Sequence, residues 1–225
     1  MKKIKIGLIH ATMNSVAPIF ESFSHHKEEI ELVNFMDEGL IYELNETNIV
    51  STRMIMRLAD LAGRAVESDV DAILFTCSSF TPFVSKIADL ISIPVLSSDI
   101  SMLEKAVLEN DFINVIATIN AAGPTTEKMI QEIARKQKKE VKVRVQIINN
   151  AFNAIQNGDS ARHDKLIREA INLIDESEAI VLAQYSMAPA ITNISTEFKN
   201  VLTGPAVSTE TIIKLAKKGV KIYES

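Results

Sequence analysis

Short apolar runs alternate along the chain with longer stretches in which apolar residues recur every three or four positions. The runs fall at 4–9, 30–35, 72–75, 93–96, 112–117, 141–148, 179–183, 200–202 and 220–223. They are rich in Val, Ile and Leu and lack clean alternation, the pattern of parallel strands covered on both faces. Stretches 48–67, 125–139 and 160–176 carry helical spacing. The second begins beside Pro124 and ends in lysines, as suits a first turn that tolerates proline and a last turn that favours cations. Strand–helix alternation of this kind predicts an α/β fold of βαβ units, with mostly parallel, doubly wound sheets flanked by helices.

The pattern also repeats. Ala11-Thr12-Met13-Asn14-Ser15-Val16-Ala17-Pro18 returns from residue 117 as Ala117-Thr118-Ile119-Asn120-Ala121-Ala122-Gly123-Pro124. The run from Ala72 through Phe80 matches Ala179 through Met187, and Val95-Leu96-Ser97 matches Val201-Leu202-Thr203. Three matches in one order, at offsets of 106 or 107 residues, predict two similar lobes. We expect residues 1–97 plus 206–225 to form the first and 98–205 the second. A pseudo-two-fold axis is expected to relate them, with the site in the cleft between. No linker-like segment separates them, so the lobes are expected to be closely joined.

Composition narrows the function. At 225 residues the chain is long enough for a sizeable core, and 47% hydrophobic with 24% charged residues is an ordinary globular balance. A net charge of -5 argues against a nucleic-acid partner, since phosphates reward a basic face. The basic stretch Arg135-Lys136-Gln137-Lys138-Lys139 reads as a solvated helix end. Met1-Lys2-Lys3 resembles the start of a signal peptide, but Lys5 and His10 interrupt the apolar run, which is expected to be a strand instead. No stretch approaches the length needed to span a bilayer, so no membrane partner and a cytoplasmic location are expected. One cysteine excludes an internal disulfide and a multi-cysteine zinc site, and seven glycines leave no phosphate loop.

Polar residues cluster just after the predicted strands: Thr12, Asn14, Ser78, Ser79, Thr118, Asn120 and Ser186. Ligands of open parallel sheets sit at such strand ends, where helix N-termini offer N–H groups. The same residues also serve as caps and turn formers. Cys77 lies at one of these turns, where a helix N-terminus would lower its pKa, or it is a small buried core residue. His10 is the histidine best placed for the cleft; His25, His26 and His163 read as solvated. Asp37 and Glu38 follow the second strand and could rim the site.

Thr76-Cys77-Ser78-Ser79, the corresponding turn Ala183-Gln184-Tyr185-Ser186 and the opening Gly7-Leu8-Ile9-His10-Ala11-Thr12 give the chain its family character. It resembles the aspartate/glutamate racemase superfamily, which includes hydantoin racemases, maleate isomerases and arylmalonate decarboxylases. The resemblance implies chemistry without a cofactor, at carbon next to a carboxylate, in which two cysteines exchange a proton across the substrate. Cys77 matches the first cysteine; the second position holds Gln184, whose amide is no acid or base near neutral pH. The expected function is a racemase or isomerase of a small carboxylate, with Cys77 as thiolate base or nucleophile. Thr12, Asn14, Ser78, Ser79, Thr118, Asn120, Gln184, Tyr185, Ser186 and His10 would bind the substrate, and no metal is expected. A one-thiol lyase, such as a malonate-type decarboxylase, and a carboxylate-binding protein without turnover remain alternatives. A homodimer is the expected assembly, if any.

Overall fold

A computed structural model describes residues 3–191 and 200–220. The chain divides into two compact units, Met1–Ile100 with Pro205–Ser225, and Ser101–Gly204.

In the first unit, β1 (Ile4–His10) leads through α1 (Val16–Ser22) to β2 (Ile30–Met36). Two helices follow, α2 (Gly39–Thr47) and α3 (Thr52–Glu67), then β3 (Ala72–Phe75), α4 (Thr81–Ala88) and the short β4 (Val95–Leu96). The strands form a parallel sheet in the order β2-β1-β3-β4. The expected helix over 48–67 is shorter at its start. Asn48 takes a left-handed conformation (φ 54°) that ends α2, and Ser51 caps α3 by accepting from the Met54 N–H.

The second unit begins with α5 (Ile100–Glu109), β5 (Phe112–Ala117), α6 (Ala122–Lys136) and β6 (Lys142–Ile147). It continues through α7 (Asn149–Gln156), α8 (Ser160–Asn172), β7 (Ala179–Leu182) and β8 (Val201–Thr203). The sheet order is β6-β5-β7-β8, again parallel. Ile116, Ile180 and Leu182 pack against Ile167, Ile171 and Met187 in its core. The last helix, α9 (Gly204–Lys218), lies mostly in the first unit, where Thr209 bonds Ser22 and Glu210 bonds His26. The strand expected over 220–223 falls, past Val220, outside the described residues.

The repeat is present in the hydrogen bonding. Ile6 pairs with Ala72 as Ile113 pairs with Ala179, and Ile73 with Val95 as Ile180 with Val201. The first sequence match is one residue out of step with this register. The carbonyls that lead the chains onward are those of His10 and Ala117, so Ala117 ends its strand whereas Ala11 lies one residue beyond.

The central strands β3 and β7 are buried throughout. The edge strand β6 instead alternates between exposed and half-buried positions, and β2 is buried only at Ile30. The edge strand β4 is buried like the central ones, so the expectation of strands covered on both faces holds for the middle of each sheet and for β4, but not for β2 or β6. Lys139 is not merely a solvated helix end: its ammonium donates to the carbonyls of Val107, Leu108 and Asn110, closing the C-terminal turn of α5.

Candidate active site

In the first unit the functional candidates gather at the carboxyl ends of β1, β3 and β4. Cys77 follows β3 in extended conformation (φ -117°, ψ 113°) and precedes a single 3-10 turn, Ser78–Phe80, that leads into α4. It is half-buried, while Ser78 and Ser79 are buried. Burial pushes the thiol up to about 11, against the hydrogen bonds of the Ser79 backbone and side chain, which pull it down. The charge of Asp99 raises it further. The expected lowering by a helix N-terminus is therefore overturned. Desolvation outweighs the donors that a three-residue turn supplies, and an acidic neighbour adds to it. At neutral pH the thiol carries its proton.

Asp99 is the site residue that sequence reading missed. It follows β4, is 3% exposed, and accepts from the Thr81 hydroxyl and from Ser98 Oγ at 3.0 Å. Its second oxygen, Oδ2, is buried with no hydrogen-bond partner among the described residues. Burial raises this carboxyl to about 6, with the Thr81 and Ser98 bonds opposing the shift. The signal in the sequence was Ser97-Ser98-Asp99 directly after a predicted strand, the same placement that drew attention to the other polar residues.

His10 ends β1 and is fully buried. Its Nε2–H donates to Asn34 Oδ1 at 3.0 Å, while Nδ1 lies 2.8 Å from Thr76 Oγ1 and 3.1 Å from Ser15 Oγ and accepts from one of these hydroxyls. Burial lowers its pKa, with the Asn34 bond acting in the other direction, so the ring is neutral. Both nitrogens are thus engaged within the unit, and through Thr76 the ring braces the residue next to Cys77. Thr12 and Asn14 are half-buried, and Thr12 Oγ1 accepts from the Asn14 N–H at 3.3 Å. Asp37 is gripped by Arg57 through two bonds of 2.6 and 2.7 Å, and Glu38 accepts from the Met13 N–H.

In the second unit Gln184 takes the position matching Cys77. Its Oε1 accepts from the Thr118 backbone N–H at 2.7 Å and from Thr118 Oγ1 at 3.1 Å. The amide is thereby fixed to the end of β5, with the carbonyl oxygen turned inward. Thr118 is buried and Asn120 exposed; Tyr185 is buried and Ser186 half-buried, both in the 3-10 segment Tyr185–Ile191. His163, expected to be solvated, is fully buried on α8, its Nδ1 2.8 Å from Asp164 Oδ1. The helical spacing around it placed an imidazole on the apolar face with Ile167 and Ile171. His25 is exposed, and His26 is half-buried between Glu29 and Glu210.

Among the described residues no helix is long and apolar enough to cross a membrane, and no group of three His, Cys, Asp or Glu could hold a metal ion. A comparison with curated proteins finds no match. Solved structures with the same fold include an aspartate racemase homologue from Pyrococcus horikoshii, 16% identical at a TM-score of 0.69 over 96% of this chain and 100% of that one. Glutamate racemase from Francisella tularensis, solved with D-glutamate, is 17% identical at 0.70 over 97% of this chain and 82% of its own. Allantoin racemase from Klebsiella pneumoniae is 14% identical at 0.68 over 97% and 89%. The family model for Asp/Glu/hydantoin racemases matches residues 13–211. With that match spanning most of its length, the chain belongs to the Asp/Glu/hydantoin racemase family.

Proposed function

We propose that the protein is an isomerase that moves a proton at the carbon next to a carboxylate, without a cofactor, with Cys77 as its acid–base group. The observation that carries this reading is the turn after β3, where the only thiol of the chain meets the Ser79 N–H and hydroxyl. Such donors stabilise the thiolate left when the proton moves to carbon, and neighbouring amides can stabilise an enolate-like intermediate. Within the first unit, Thr12, Asn14 and Ser78 would hold the carboxylate, and His10 would support the Cys77 turn through Thr76. Solved structures of this fold include racemases of aspartate, glutamate and allantoin, so amino acids and cyclic ureides are the substrate classes to try first.

A second reading has its own support. Gln184, held by Thr118, leaves the counterpart of Cys77 without an acid or base, and Cys77 itself rests protonated. One protonated thiol suits a lyase that delivers a proton to one face after loss of carbon dioxide. Incubating the protein in D₂O with chiral amino acids, hydantoins and aryl- or alkylmalonates separates the readings. An isomerase erases optical rotation and places deuterium in unreacted substrate. A lyase releases CO₂ and labels only product. If neither occurs while a small carboxylate still raises the melting temperature, the chain binds without turnover and both enzymatic readings fail.

A further inference from the structure

The acids and bases at the carboxyl ends of the first sheet are unevenly matched. The segments that follow its four strands, 11–15, 37–38, 76–80 and 97–99, hold Asp37, Glu38 and Asp99 but no Lys or Arg. His10, which ends β1, is neutral. The guanidinium of Arg57 reaches this end from α3 and is fully engaged there. It makes two bonds to Asp37 and a third, of 3.1 Å, to Glu43. Gly39 leaves it room, since an added Cβ would stand 2.7 Å from Arg57 Nη2. Asp37 is thereby neutralised and fixed. Glu38, the next residue, has no ion-pair partner among the described residues.

The Glu38 carboxylate lies against the turn after β1. Its Oε1 accepts the Met13 N–H at 3.2 Å, between Thr12 and Asn14, the residues proposed to hold the substrate carboxylate. Because β1 runs between β2 and β3, the same turn meets the thiol turn on its other side, where Ser15 Oγ is 2.9 Å from Thr76 Oγ1. Strands spaced about 4.8 Å apart leave the Glu38 and Cys77 segments roughly 10 Å from each other, a range over which charges act at low salt.

We propose that Glu38 is a specificity-determining residue, whose charge beside the carboxylate-binding turn favours ligands with a cationic or N–H group and disfavours a second anion. The inference rests on Thr12 and Asn14 as partners of the carboxylate. It selects α-amino acids and cyclic ureides over malonates. An ammonium or ring N–H beside the reacting carbon gains an acceptor in Glu38. The second carboxylate of a malonate meets a like charge that no cation of these segments offsets.

Because the chain has a single cysteine, charge selection can be read at Cys77 without a substrate. The test compares the rates at which cationic 2-aminoethyl and anionic 2-sulfonatoethyl methanethiosulfonate modify the thiol, at about 10 mM and about 1 M salt. The ratio of the two rates cancels any change in the thiol itself, which both reagents share. Glu38→Gln keeps an acceptor for the Met13 N–H and removes the charge. It is expected to shift the ratio toward the anionic reagent by at least about threefold at low salt, and not at high salt. Glu38→Ala is expected to match it, while Glu67→Gln, at the far end of α3, keeps the wild-type ratio. A wild-type ratio in folded Glu38→Gln overturns the proposal. So does a shift that persists at high salt, which marks the lost Met13 bond rather than the charge. Should Glu38→Gln fail to fold, the salt dependence of Glu38→Ala decides. With no substrate present, the outcome is independent of the proposed isomerase activity.

Discussion

Asp99 carries its charge at a cost that can be read against pH. Its folded pKa, about 6, lies above the ordinary value of 3.8, so between these limits the native state binds more protons than the unfolded one. Stability is therefore fully present below about pH 4 and is lost as pH rises through 6, by on the order of 3 kcal/mol. Chemical denaturation between pH 4 and 7 should register this fall, and Asp99→Asn should flatten it. At Gln184 the cost is of another kind: Gln184→Ala leaves the buried Thr118 N–H without its acceptor and should lose about 1–3 kcal/mol in the same assay. The position of Cys77 was legible from the sequence because it lies two residues past a short apolar run and is followed by two hydroxyl residues, the pattern of a strand end leading into a turn. Its protonation state was not. That depends on burial and on a carboxylate 22 residues further along, brought near by the pairing of β3 with β4.

Elements were legible where burial is uniform and blurred where ends depend on single residues. The runs at 72–75 and 112–117 coincide with β3 and β5, both in the middle of their sheets. The break between α2 and α3 turns on the left-handed Asn48, and α2 itself went unread because its buried residues, Leu40, Ile41 and Leu44, make too short a stripe. Close approach between elements was equally invisible. On α6, Gly123 faces β6 so tightly that an added Cβ would lie 2.7 Å from Val145 Cγ1. Gly123→Ala should destabilise the protein by about 1–3 kcal/mol, seen as a lower midpoint in urea. A midpoint at or above the wild-type value would show that Val145 yields without strain.

On the scale of the whole chain, one plan is used twice, in two four-stranded parallel sheets of matching strand order, with a thiol at the turn of the first alone. The offset of 106 to 107 residues announced the duplication, and the matching strand orders give it structure. Duplication is readable because apolar strands and their turns are local patterns. The divergence is readable only in part. Gln184 in place of a second thiol stands out in the sequence, whereas the hold of Thr118 on its amide emerges only once β5 and β7 are paired. The central claim is that Cys77 moves a proton to or from carbon. Proton NMR in D₂O tests it most directly, by following deuterium entry beside the carboxylate of the best substrate in wild type and in Cys77→Ser. The account predicts steady incorporation by wild type and a loss of at least about 10²-fold in the variant, with its melting temperature preserved. Incorporation by Cys77→Ser at the wild-type rate would contradict it.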